Sequence, residues 1–363
     1  MRKELIVIIV FFLTINCYGQ TRDNYYKNGL EKYDQKDYSG AILDFTKSIE
    51  NNTNDTTAYF KRGNAKLDLK DYKGAVADFT KVLEINPNDV EAYEFRGITK
   101  SCLNNYNEAI LDYSKAIEIN PDKSSLYINR GIARYDIQDY NGAIADCTKF
   151  IEFEPKKELG YDLRGQVKND QQNFKEALED YTKEINLNSN NQEAYYNRGI
   201  SKDNLLDYIG AINDYTKAIE LNPNFEEAYS RRGVSKRKLK DYKGAITDYN
   251  KSIELNPNNA ETYFYRAIAK NYLQDKNGAI TDYSKAIEIN PKREDFYYNR
   301  AITKGMLKDY EGAITDFTKA IEIYPNYAEA YYERGRAKAK SKNFKDGFED
   351  FEKAKELKKN SKL

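Results

Sequence analysis

The stretch TTAYFKRGNAKLDLKDYKGAVADFTKVLEINPND, Thr56 to Asp89, decides how the rest of the chain is read. In its first half Tyr59, Gly63 and Leu69 trace one helix. In its second half Ala75, Val76, Phe79, Val82 and Leu83 recur at the three-and-four spacing of another. Asp71 stands where it can cap the second helix, and Pro87 closes that helix because it has no N–H to continue the ladder. The stretch predicts a helical hairpin. Neither helix can bury its apolar face alone, so the hairpin needs neighbours of its own kind.

The chain supplies them. A small residue recurs every 34 positions, as Gly29, Gly63, Gly97, Gly131, Gly165, Gly199, Gly233, Ala267, Ala301 and Gly335, and all seven prolines fall on one phase of the same period. Residues 22–361 divide without insertion into ten repeats: 22–55, 56–89, 90–123, 124–157, 158–191, 192–225, 226–259, 260–293, 294–327 and 328–361. Unbroken blocks without loops for chemistry read as one elongated solenoid, not as a globular enzyme. Glycine inside a helix costs about 1 kcal/mol against alanine, so its phase needs a packing reason. Alanine twelve residues later, from Ala41 and Ala75 to Ala313, suggests that Gly63 and Ala75 mark where the two helices nearly touch. Asn105 with Glu108, and Asn173 with Glu176, have the spacing of reciprocal capping boxes.

Small at Gly63 and Ala75, aromatic at Tyr59 and Phe79, and proline at Pro87, all at a period of 34, resemble the tetratricopeptide repeat family over residues 22–361. The resemblance implies an all-α fold, a right-handed superhelical solenoid of antiparallel helix pairs whose first helices line a concave groove. Tyrosine stands in all ten copies where that family favours tryptophan, and Arg62 and its equivalents stand where it often has leucine.

Two charges also keep phase. Aspartate recurs as Asp44, Asp78, Asp112 and onward to Asp350, and arginine as Arg62, Arg96, Arg130 and onward to Arg334. There are ten aspartates but nine arginines, with Asn28 in the first copy, and ten stacked repeats have nine interfaces. The count favours pairing each arginine with the aspartate of the preceding repeat, Arg62 with Asp44. Pairing within the repeat, Arg62 with Asp78, is the alternative.

Composition narrows the function. Lysine plus arginine balance aspartate plus glutamate at 58 each, so no net field draws the chain to nucleic acid or an anionic membrane. Histidine is absent, which removes the commonest general base and imidazole ligand. No metal, cofactor or catalytic residue is expected, and the chain is read as a non-enzyme. Cys102 and Cys147 read as small buried hydrophobes and not as a disulfide pair.

The N-terminus differs. Arg2 and Lys3 precede the apolar run Leu5 to Leu13, the pattern of a secretory signal peptide over residues 1–19, with cleavage after Gly19 leaving Gln20 as the new terminus. This predicts an exported chain, periplasmic or secreted. Lipidation at Cys17 is the rival and would make membrane attachment part of the reading, although Asn16 precedes the cysteine where a lipoprotein signal normally has a small residue.

What breaks the repetition is informative. Eleven of the 33 tyrosines lie off the repeated phases. The first-helix positions that the resemblance assigns to a groove carry Tyr26, Tyr33, Phe60, Asn64, Phe95, Tyr135, Tyr196, Phe264, Tyr265, Tyr298 and Tyr332, the expected partner-binding residues. Aromatics offer large contact area with few rotors, and the same rings could instead pack between helices. The leading function is a non-catalytic protein–protein interaction scaffold binding an extended peptide or protein in that groove. The alternative is a structural, self-associating repeat protein or envelope assembly factor. In the fifth repeat, Gln171, Glu184 and Ser189 replace an aliphatic, a small residue and a proline, so residues 158–191 are expected to be the softest part of the stack.

Overall fold

The computed structural model describes residues 24–360, with the backbone alone for Asn360. The expected leader, with Cys17 and Gln20, lies outside the described residues. Helix α1 covers 24–34. It is followed by α2 (Tyr38–Asn51), α3 (Thr56–Asp68), α4 (Tyr72–Ile85), α5 (Val90–Cys102), α6 (Tyr106–Ile119), α7 (Ser124–Asp136), α8 (Tyr140–Phe153), α9 (Glu158–Asp170) and α10 (Phe174–Leu187). Then come α11 (Gln192–Asn204), α12 (Tyr208–Leu221), α13 (Glu226–Lys238), α14 (Tyr242–Leu255), α15 (Ala260–Tyr272), α16 (Lys276–Ile289), α17 (Glu294–Met306), α18 (Tyr310–Ile323), α19 (Ala328–Lys340) and α20 (Phe344–Asn360). No strand occurs among the described residues, and the chain is an all-α repeat solenoid. It divides between Leu187 and Asn188 into two compact units, inside the fifth repeat. Within each unit successive helices pack on one another, and first helices of adjacent hairpins also touch, as α5 does α7 and α13 does α15.

Local chemistry makes each hairpin. The first helix ends on a residue in the left-handed conformation, Lys70 at φ 63°, whose N–H donates to the Leu67 carbonyl at 2.9 Å while Asp71 N–H donates to that of Lys66 at 2.8 Å. All ten repeats use this turn, and none places glycine there. Asp71 then caps α4, its Oδ1 accepting from Gly74 N at 3.0 Å. Glycine leaves room for this cap: a Cβ on Gly74 would lie 2.1 Å from Asp71 Oδ2 and the aspartate would have to shift. The same cap forms at Asp37, Asp139, Asp207, Asp241, Asp275 and Asp309. One expected capping box fails: Asn105 makes no side-chain cap bond.

A Cβ on Gly63 would first meet the Phe79 ring at 2.8 Å, and Gly97, Gly199 and Gly233 lie likewise under Tyr113, Tyr215 and Tyr249, while at Gly131, where Cys147 replaces the ring, the Ala143 carbonyl twelve residues on lies 3.6 Å away. The second-helix ring lies across the glycine, and the ring and the glycine are both buried. At Gly335 the nearest atom is backbone, the Gly347 carbonyl at 2.8 Å, again twelve residues on. Of the two cysteines among the described residues, Cys147 is buried but Cys102 is exposed, so the reading of Cys102 as a core residue is corrected.

The charged phases pair within the repeat, which overturns the expected pairing across repeats. Arg62 grips Asp78 with two bonds, Nε to Oδ2 at 2.9 Å and a terminal nitrogen to Oδ1 at 2.7 Å, and Lys66 adds a third contact at 2.8 Å. The other terminal nitrogen of Arg62 reaches back to Thr46 Oγ1 of the preceding repeat at 3.0 Å. Arg96 with Thr80, Arg130 with Ser114 and Arg300 with Ser284 repeat the arrangement. The arginine does bridge neighbours, through a hydroxyl. In the first repeat, which has Asn28 at this phase, Lys32 takes Asp44 at 2.6 Å.

Candidate functional site

Six of the expected contact residues share one phase, early in the first helix, and each lies against the ring nineteen positions later in its own repeat. Centroid separations are 5.8 Å for Tyr26 and Phe45, 5.5 Å for Phe60 and Phe79, and 5.8 Å for Tyr196 and Tyr215. They are 5.8 Å for Phe264 and Tyr283, 5.6 Å for Tyr298 and Phe317, and 5.5 Å for Tyr332 and Phe351. The other side is covered from the next repeat by Phe95, 5.3 Å from Phe60, and Phe296, 4.9 Å from Phe264, and from the turn that closes the same repeat by Phe225, 4.9 Å from Tyr196, and Tyr327, 5.0 Å from Tyr298. Edge-on and tilted pairs of this kind stabilise packing by about 0.5–1.5 kcal/mol beyond area burial.

The aromatics are therefore first a ladder of inter-helix packing. Phe264 is only 8% exposed, so it belongs to the core and is withdrawn as a contact residue. Tyr332, 46% exposed, keeps part of its surface open to solvent, and Lys358 sits 5.9 Å from its ring. The other phases are tied down too. Tyr33 donates its hydroxyl to Asp68 and Tyr135 to Asp170, the latter at 2.6 Å, and both phenols are shifted upward by burial and by those carboxylates. Tyr265 lies under Arg237 at 5.4 Å. Asn64 is half-buried, and its Oδ1 finds no hydrogen-bond donor.

Where the early phase lacks an aromatic, Ile128 packs in the core and polar bonds form at Glu94 and Ser230. Glu94, 6% exposed, accepts from Lys123 at 2.6 Å, Ser125 at 2.7 Å and Asn129 at 3.4 Å. Ser230 shares a 3.2 Å bond with Thr262. These buried polar groups satisfy one another, as groups removed from water must.

A second row, near the end of the first helix, was not singled out in the sequence because its members differ in type. In the C-terminal unit it runs Asp203, Arg237, Asn271 and then Gly305. Asp203 accepts from Ser235 at 2.6 Å and from the Tyr215 hydroxyl at 2.9 Å, and Asn271 donates to Thr303 at 2.7 Å. At Gly305 the row stops, and a cavity of about 530 Å³ opens beside it. The absent side chain at Gly305 was the available clue. Among the described residues no group of three acidic, cysteine or histidine side chains is arranged to hold a metal.

Paired antiparallel helices at a fixed period, glycine under an aromatic, and a proline-marked turn define a helical-hairpin repeat protein. Sequence models described as tetratricopeptide repeat match residues 56–89, 193–225, 226–259, 294–327 and 328–361, and one described as TPR repeat matches 103–138. The chain belongs to the tetratricopeptide repeat family. No curated protein matches it in sequence. Among solved structures it is similar to the C-terminal part of a TPR repeat-containing protein from Cytophaga hutchinsonii, at 20% identity and a TM-score of 0.57 over 65% of this chain and 97% of that one. It is also similar to a chain of the APC/C hetero-tetramer Cut9-Hcn1, at 15% identity and 0.52 over 86% and 75%. MamA is 27% identical over 46% of this chain and 97% of its own, with a TM-score of 0.44.

Proposed function

We propose that this chain is an exported, non-catalytic scaffold that holds an extended peptide or protein segment along the face made by its first helices. The family is one of protein-interaction scaffolds, and the distribution of charge supports this face. In the fixed phases each charge is satisfied internally: Asp248, 2% exposed, takes Arg232 and Lys236, and Lys251 takes Glu254 on the outer surface. Some groups on the first helices, among them Asn64 Oδ1 and the ammonium of Lys340, are left without such partners. Recognition then falls to residues that vary between repeats, which is how one scaffold can select one partner.

Photo-cross-linking tests this. With p-benzoylphenylalanine in place of Tyr332, a discrete cross-linked product is expected in cells. The same replacement at Leu111, 70% exposed on the second helix α6, should give none. Products from Leu111 alone would refute the first-helix face as the site. Export has its own test, since N-terminal sequencing should find Gln20 first, and lipid on Cys17 would replace that reading with a membrane-anchored one.

A further inference from the structure

The cavity beside Gly305 arises from three departures from the repeat that coincide in space. At the corresponding phases two other repeats of the C-terminal unit have a bridging side chain (Asp203 or Asn271), a hydroxyl that meets it on the next first helix (Ser235 or Thr303), and a tyrosine hydroxyl below (Tyr215 or Tyr283), and the repeat between them has Arg237, Ala269 and Tyr249. Here the three are Gly305, Ala337 and Phe317. Every polar group of the bridge is missing together, so the floor of the space, made by Ala301, Ile302, Ala313, Phe317 and Ala337, is apolar. A Cβ on Gly305 would meet nothing within 4 Å. The volume, about 530 Å³, lies within the range of sites that bind small groups.

The rim carries the opposite character. Lys308, Arg336 and Lys340 line the cavity with a single carboxylate, Glu333. Glu333 is already held by Arg336 at 2.8 and 2.9 Å. Lys340 lies 5.8 Å from the Tyr310 ring, and among the described residues neither it nor Lys308 has a carboxylate within ion-pair reach. We infer that this is a binding pocket for an acidic segment of a protein partner, which inserts one apolar side chain over Gly305 and Phe317 and sets flanking carboxylates against Lys308 and Lys340. The inference deepens the scaffold reading by naming the chemistry of the segment held.

The chain provides its own reporter, because its two methionines are Met1 and Met306, and Met306 lines the pocket with 57% of its surface exposed. The full chain labelled with methyl-¹³C methionine is titrated with acetyl-DDFDD-amide, acetyl-DDADD-amide and acetyl-KKFKK-amide. The first peptide should shift the Met306 methyl resonance saturably, and the other two should bind at least tenfold more weakly. Gly305→Leu, which improves helix propensity and fills open space, should abolish the saturable shift. The double variant Lys308→Gln, Lys340→Gln should weaken binding at least tenfold while leaving the cavity open. No saturable shift with acetyl-DDFDD-amide, equal binding of all three peptides, or unchanged binding by Gly305→Leu would each overturn the pocket. A partner cross-linked at Tyr332 alongside a silent Met306 would sink the pocket and leave the scaffold intact, whereas a shifted Met306 with no cross-link would do the reverse.

Discussion

Removing one aspartate should unlock two cations at once. In Asp248→Ala the guanidinium of Arg232 loses bonds of 3.0 and 2.7 Å and the ammonium of Lys236 loses one of 2.8 Å. Their side chains are 15% and 22% exposed, so water reaches them only in part. Breaking a buried pair costs about 3–5 kcal/mol, and that partial hydration places this variant near the lower end, about 3 kcal/mol. The informative measurement is a pair of double-mutant cycles in urea, with local protection read by hydrogen exchange over residues 226–259. Combined with Arg232→Met, Asp248→Ala should show a strong coupling. Combined with the same change, Asp214→Ala should be additive within about 0.5 kcal/mol, because Asp214 is held by Arg198 and Lys202 and Arg232 reaches only Thr216 in that repeat. A larger coupling to Asp214 than to Asp248 would refute pairing within the repeat.

Gly233→Ala drives a Cβ to 2.6 Å from the Tyr249 ring, and overpacking should outweigh the helical gain, for a net loss of about 1–2 kcal/mol in thermal unfolding. Gly131→Ala, whose nearest atoms are the Asp146 Cβ at 3.4 Å and the Cys147 sulfur at 3.5 Å, should be neutral or stabilising by up to about 1 kcal/mol. Leu206, 71% exposed at φ 64°, should gain about 0.5–1 kcal/mol on change to glycine, measured in the same way. Burial, with Asp162 and Glu158 nearby, pushes the Glu184 carboxyl from 4.5 to about 8. The folded state therefore binds more protons than the unfolded one between those values, and stability should fall as pH rises through that window. Glu184→Gln should flatten the dependence, and an unchanged slope would assign it to other groups. Ellman's reagent should titrate Cys102 in the native chain but reach Cys147, whose thiol burial raises to about 12, only after unfolding.

The hairpin was legible in the sequence because it depends on residue classes at fixed spacing: Gly63, Ala75, Phe79 and Pro87 state a helix pair whatever their detailed contacts. Contacts between phases were less legible. Arg62 lies sixteen residues before Asp78 and eighteen after Asp44, and spacing alone does not rank those distances across a turn. The count of nine arginines did report an interface, but one made through Thr46. The turn at Lys70 left no mark either, since its left-handed residue is lysine, glutamine, asparagine or leucine and never the glycine that advertises such a backbone. At the candidate site, aromatic type predicted contact area correctly and its direction poorly. Phe60 has a ring on either side within 5.5 Å, so the chain supplies the neighbours that a ligand was expected to supply.

A formal charge of zero reads differently once the bonds are known. The repeated aspartates and arginines cancel because they are bonded to each other, and Lys115 with Glu118 or Lys285 with Glu288 cancel as neighbours on one helix surface. These phases fix the balance of the sum and contribute little field toward a partner, because most of their charges lie within 4 Å of an opposite one. The variable positions determine what a partner meets. At the last phase of the first helix the N-terminal unit has Asp68, Asp136 and Asp170, whereas the C-terminal unit has Lys238, Met306 and Lys340. Asp68 and Asp170 are engaged by Tyr33 and Tyr135, which removes part of that acidity from view, while Lys340 beside the Gly305 cavity has only an aromatic face. Neutrality of the whole thus excludes a long-range pull on a polyanion but is compatible with a local cationic rim. The cavity is where apolar space and uncompensated positive charge adjoin, and an acidic segment with one apolar side chain matches both.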